Sequence, residues 1–242
     1  MWNKILSTPL VYLFIAAGTL TATVLGFLAG NKFLLPVLQI AVSYPVLFSL
    51  LAGEQRKRAF VTMLFWALCL GTTTVVISVQ YPAQGESAIF HGKAYVDEMF
   101  RWIRTGEGAE GNPLLFVPQH LLHFVVFAAL SLATGSLLSL LMGALLMNYM
   151  SFYVASVILA SDDSLTAALM AWHPWSIIRV ASFVVLGVIL AEPVICRIIK
   201  RDYEYTGARR FFWAALNGLV LDILLKTALA PWWGVELRKL IS

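Results

Sequence analysis

Two of the chain's four histidines, His120 and His123, open an apolar run of roughly 42 residues, from Gln119 to Ala160, that contains no Asp, Glu, Lys or Arg. Imidazole is the side chain best suited to hold a metal or haem, or to move a proton near neutral pH, and here two stand at a predicted membrane boundary. Their i,i+3 spacing, just after Pro118, puts both rings on one helix face, where they could share an ion. His91 and His173 are predicted to fall on the same side of the membrane, with Glu107, Glu110, Asp162 and Asp163. A divalent metal or haem at that face would draw its ligands from this set, and a metal so held could activate water. The spacing lacks the glutamate of His-Glu-x-x-His. The competing explanation, which the sequence favours, is that His, Trp and Tyr settle at the polar edge of a bilayer, as Trp172, Trp175, Trp232 and Trp233 are also expected to do.

A second constellation lies deeper in apolar sequence: Glu192, Asn217, Asp222 and Lys226. Asp222 and Lys226 are i,i+4, stacked on one helix face, and are expected to pair. Glu192 and Asn217 fall at similar depths on neighbouring helices, which makes a hydrogen bond between them plausible geometry. Such groups serve either proton or ion handling or the stapling of helices and partner subunits. A third set, Thr19, Thr21, Thr23 and Gly26 with Gly71 to Thr74, is the small and polar type that lets membrane helices approach closely.

The elements that must position these residues follow from composition. Of 242 residues, 60% are hydrophobic and 12% charged. That balance describes a polytopic membrane protein. Apolar windows long enough for about 30 Å of hydrocarbon lie at Pro9–Ala29, Phe33–Leu51, Phe60–Val79, Ile177–Ile195 and Phe211–Ala230. As one helix, the run from Gln119 to Ala160 would be about 63 Å long, roughly twice that thickness, so it is expected to fold into two crossings. Gly143 or the Gly135-Ser136 pair is the expected turn.

The densest basic loops, about 52–59 with Arg56-Lys57-Arg58 and about 196–210 with Lys200, Arg201 and Arg209, are placed in the cytoplasm by the positive-inside bias. The result is seven crossings in the inner membrane, N-terminus cytoplasmic and C-terminus outside. On this topology nine Lys/Arg stand against three Asp/Glu inside, and seven against eight outside. The net charge of +4 is therefore a product of topology, and nucleic acid is not an expected partner. The first apolar stretch continues past Ala16-Ala17-Gly18 without a break and reads as an uncleaved helix. Cys69 and Cys196 suggest neither a disulfide nor a thiolate metal site.

The largest loop, about 80–118, is predicted to lie outside and to hold a short interfacial helix. Val96, Met99, Phe100 and Ile103 recur at helical spacing, with Asp97, Glu98, Arg101 and Arg104 on the other face and Trp102 beside them. The acidic, glycine-rich stretch Thr105 to Pro113 then leads to the histidine pair.

The expected fold is thus an all-α polytopic bundle of about seven transmembrane helices plus that interfacial helix, one integral domain over 1–242. Phe116-Val-Pro-Gln-His120 resembles the Phe-x-x-x-His element of CAAX-type intramembrane endopeptidases over five residues. The family's Glu-Glu-x-x-x-Arg is not reproduced by Asp97-Glu98-Met-Phe-Arg101, nor its His-x-x-x-Asn after His173. No Gly-x-Ser-x-Gly surrounds Ser164, as a rhomboid-type protease would need, and there is no phosphate-cradling loop. Three functions stay open. The favoured one is a non-catalytic integral subunit that anchors or couples other membrane proteins. The others are a metal-dependent membrane hydrolase or peptidase with an outer-face His and acid site, and a small transporter or proton-coupled component using Glu192, Asp222 and Lys226.

Overall fold

The computed structural model describes residues 9–205 and 207–241. Lys4, counted above as cytoplasmic, lies outside them. Among the described residues there is no strand, and seven helices are long and apolar enough to cross a membrane. They are α1 (Leu10–Ala29), α2 (Leu34–Ala52), α3 (Arg56–Gln80), α6 (Pro113–Thr134), α7 (Leu137–Leu159), α9 (Pro174–Ile198) and α10 (Ala208–Leu240). Three short helices join them at one end of the bundle: α4 (Pro82–Ala88), α5 (Gly92–Thr105) and α8 (Ser164–Ala171). The chain is a multi-pass, all-α membrane bundle.

Local chemistry sets the boundaries. Asn112 caps α6 by accepting from the Leu114 amide at 3.0 Å, with Pro113 supplying a first residue whose φ is already helical. Asp163 does the same for α8, accepting from Thr166. The run from Gln119 to Ala160 turns at Gly135-Ser136, both left-handed with φ of 57 and 68 degrees. Ser136 affords that backbone because its hydroxyl is bonded to the Gly187 carbonyl at 2.7 Å. Gly143 continues inside α7.

Leu47, Leu50, Met63, Trp66, Leu70 and Ile189 form the largest apolar core, between α1, α2, α3, α7 and α9. Through it runs a polar clamp. Gln39 and Asn148 exchange amide bonds at 2.8 and 3.1 Å, and Thr23 and Thr74 join them. Thr19 and Gly26 are buried beside the clamp, while Thr21 faces out. Hydrogen-bonded helices of this kind leave no stranded amide in hydrocarbon.

At one end, rich in arginine, α3, α9 and α10 converge. Arg56 pairs with Glu192 there, and Arg201 donates to the Leu51 and Ala52 carbonyls that close α2. Glu192 thus belongs to this end. Asn217 is exposed on α10 and makes no bond to it, which corrects the expected contact. At the opposite end α5 is protein-covered: Met99, Trp102 and Ile103 are buried against α7 and α10, while Asp97, Arg101 and Arg104 stay exposed. The amphipathic helix is real, but its apolar stripe faces the bundle, because two helix ends offer a drier surface than the lipid interface.

Candidate functional site

The centre of interest is where the segment after α5 enters the bundle. Gly106, left-handed at φ 77 degrees, ends α5, and a 3-10 turn at Ala109–Gly111 aims Glu110 inward. The turn seats itself on Trp102. A Cβ on Gly111 would stand 2.9 Å from the indole nitrogen, and one on Gly234 of α10 would stand 3.1 Å from the ring, so glycine on both sides lets loop and helix close on the same indole.

Glu110 then accepts from Lys226 at 2.8 Å and from the Trp175 indole at 3.0 Å. The His173 Nδ1 lies 3.7 Å from the same carboxylate, and its Nε2 stands 3.3 Å from the Tyr153 hydroxyl. His173 is stacked on Trp175, with ring centroids 4.7 Å apart, and is enclosed by Trp102, Tyr153 and Trp233. The Lys226 ammonium also sits 4.4 Å over the Phe116 ring.

One helical turn away is a second pair. Arg179 grips Asp222 in a two-pronged contact, Nε to Oδ2 at 2.9 Å and Nη2 to Oδ1 at 3.0 Å. His120 Nδ1 stands 3.3 Å from Asp222 Oδ2. The expected Asp222 to Lys226 pair is therefore not formed. Lys226 is met by the turn that carries Glu110 and Asp222 by Arg179 of α9 instead, because a forked guanidinium satisfies both carboxylate oxygens and an i,i+4 ammonium reaches only one.

Arg179 is the residue the sequence reading passed over. It falls inside the predicted window Ile177–Ile195. A guanidinium four residues after Trp175, in a helix facing Asp222, was the available signal. Trp175, expected at the bilayer edge, is fully buried and bonded to Glu110.

Electrostatics follow from enclosure. Burial alone would raise the Glu110 carboxyl, but the charge and hydrogen bond of Lys226, with His173 and Arg179 nearby, hold it down at about 2. Burial is also the main reason that His173 falls to about 4, with Glu110 opposing and Lys226 and Arg179 adding to the shift. His173 is therefore neutral at pH 7, and Lys226 is the working counter-charge of Glu110. Burial lifts the Tyr95 hydroxyl well above its usual range.

Of the residues singled out for a metal, His120 and His123 share a face of α6 and line one cavity with Glu110. His173 meets Glu110 from the other side. His91 stands apart, exposed at the start of α5 beside Phe90 and Tyr149, and Glu107 is exposed in the loop. Asp162 is exposed as well, and Asp163 is spent as a cap. Among the described residues no three His, Cys, Asp or Glu side chains are grouped to hold a metal ion.

The cavity, about 130 Å³, runs between α3, α6, α7 and α9 below the two ion pairs. Arg179, Lys226, Glu110 and the two histidines form its polar end, and Met63, Trp66, Phe127, Leu140 and Val184 its apolar end. No family model, no curated protein and no solved structure matches this chain.

Proposed function

We propose that the chain is a non-catalytic integral subunit of a membrane complex, anchoring or coupling partner proteins. The carrying observation is Asn217. It lies about 10 Å along α10 from Arg210, well inside the apolar span, on an exposed face that it shares with Trp213, Val220, Leu221 and Leu224. A carboxamide facing lipid has no partner for its hydrogen bonds, whereas a transmembrane helix of another subunit supplies one. The apolar windows of α6 and α10 are only 17% buried, against 39 to 50% for the other five spans, so these two helices offer the most unpartnered surface. The basic end is assigned to the cytoplasm of the inner membrane and the Glu110 end to the outside, which follows the positive-inside bias of the two arginine-rich loops.

Purification from native membranes in mild detergent is the test. A stoichiometric membrane partner that Asn217→Leu releases, with no change in Tm, is expected. A monomer indifferent to the substitution would overturn the reading.

A second reading, a proton- or ion-coupled component, is favoured by the titratable groups gathered around the cavity. Proteoliposomes containing Asp222→Asn would decide it: flux present in the parent chain and lost in the variant, with the fold intact, would replace the subunit reading.

A further inference from the structure

Two features of the cavity wall are unexplained by packing. Gly143 lies in the middle of α7, where a membrane helix uses glycine to draw a neighbour close, as Gly26 does against Leu35 and Gly187 against Phe127. At Gly143 nothing lies within 4 Å of an added Cβ, so this glycine keeps space open. Trp66 is 4% exposed, yet its indole N–H has no partner among the described residues. Both residues line the cavity. A buried donor of this kind is costly unless something in the space accepts from it. A water doing so needs two to four polar partners, and the end of the cavity where Trp66 stands is otherwise walled by Met63, Phe127, Leu140 and Val184.

Size, charge and wall chemistry narrow the occupant. The volume of about 130 Å³ is a little below the roughly 150 Å³ of an engineered apolar cavity that takes up one benzene, so a single six-membered ring fits and two fused rings do not. The charges at the polar end are already matched. Arg179 is held by Asp222 and Lys226 by Glu110, while His120 Nδ1 faces Asp222 at 3.3 Å. An ion would enter without a free counter-charge, which selects for a neutral molecule. Trp66 from α3, Phe127 from α6 and Phe183 from α9 bring aromatic rings from three helices, and Met63, Met147 and Met150 add thioethers that mould to a flat ring. An apolar space with one unmet donor suits a ligand that is apolar except for one acceptor.

We propose that this cavity binds one neutral six-membered aromatic ring with a single acceptor and no donor, a nitrogen heterocycle of the pyridine type, its nitrogen on the Trp66 indole N–H and its ring in the space that Gly143 leaves.

The probes are 3-fluoropyridine and fluorobenzene, read by fluorine NMR with the full chain in detergent. Each should show a saturable one-to-one shift, displaced by pyridine or benzene. Benzoate and benzylammonium, charged on the same ring, should not displace them, nor should quinoline, which has two fused rings. Trp66→Phe should weaken 3-fluoropyridine about fivefold, the loss of one hydrogen bond, and leave fluorobenzene no weaker. Gly143→Leu should abolish both saturable shifts with Tm unchanged, and Val184→Phe, from α9, repeats that test independently. A shift that only rises linearly with probe, or that survives both filling variants in folded protein, would overturn the site and leave water as its occupant. Equal weakening of the two probes by Trp66→Phe would overturn the acceptor, and displacement by benzoate or quinoline would overturn the neutral single ring. Should the filling variants unfold, the competitors and Trp66→Phe decide the matter alone.

Discussion

Glu110 and Lys226, 116 residues apart in the chain, meet at 2.8 Å inside the bundle, the first from a loop and the second from the middle of a span. A loop carboxylate therefore neutralises a charge that α10 could not otherwise keep in hydrocarbon. Glu110→Gln leaves Lys226 buried without its counter-charge, which in comparable pairs costs about 3–5 kcal/mol. Thermal unfolding in detergent should show the loss. Glu110→Leu combined with Lys226→Met should recover most of it, since the pair is replaced by apolar packing of similar size.

The cross-helix pairing has its own signature in mutant cycles. The coupling energy between Glu110 and Lys226 should reach about 1–3 kcal/mol. Between Asp222 and Lys226, which share a face of α10 but bond elsewhere, it should be clearly smaller. Coupling of equal size in the two cycles would show that the i,i+4 pair forms after all.

Acid should loosen this end in two stages. His173 is held down at about 4 in the fold against an ordinary 6.5, so the unfolded chain takes up a proton first as pH falls below 6.5. Stability present above pH 6.5 is lost progressively down to about 4. Glu110 is held at about 2 against 4.5, so its contribution is full above 4.5 and is lost as pH falls toward 2. His173→Gln should remove the upper stage and leave the lower. Unfolding midpoints followed from pH 8 to 3 read both.

Trp102 is 2% exposed and fixes three elements at once: α5, the turn that carries Glu110, and α10 through Gly234. Trp102→Ala should cost about 3–5 kcal/mol, the usual price of emptying an aromatic site. Trypsin should then cut at Arg101 and Arg104 well before the bundle unfolds. Unchanged cleavage would show that α5 is held by something else.

At the other end, Arg201 donates to two carbonyls at the close of α2, groups that a helix terminus leaves without intrahelical partners. Arg201→Ala should destabilise by about 1.5–3 kcal/mol, the range for hydrogen bonds made by a charged group. Arg201→Lys should restore little, because a single ammonium does not reproduce the fork. Denaturant midpoints of the three proteins give the comparison.

The sequence made the spans legible because length and hydropathy are local properties. Each predicted window has its helix, and the doubling of the run from Gln119 to Ala160 followed from the thickness of hydrocarbon alone. Side-chain partnerships were not legible in the same way. Asp222 and Lys226 looked like a pair because helical spacing is visible in sequence, whereas the rotation of α9 against α10, which brings Arg179 to Asp222, is not. Glu110 was one acid in a glycine-rich stretch until Trp102 gave the turn a seat. The cavity was out of reach for a further reason. Gly143 reads as one of two candidate turns, beside Gly135-Ser136, and a glycine that leaves room is indistinguishable in sequence from one that bends the chain or admits a neighbour.

The distance along the chain between Glu110 and Lys226 also sets an order of events during synthesis. At 5–20 residues per second the ribosome needs on the order of ten seconds to travel from one to the other. For that interval the acid waits at the membrane surface with Trp175, Arg179 and Lys226 still to come. When α10 arrives with Asp222 and Lys226, each costing about 2.5–3.5 kcal/mol in mid-bilayer, its receiving groups, Glu110 in its turn and Arg179 on α9, have already been made. The least hydrophobic long helix of the seven is also the last to be made. Both of its buried charges therefore meet partners synthesised before them.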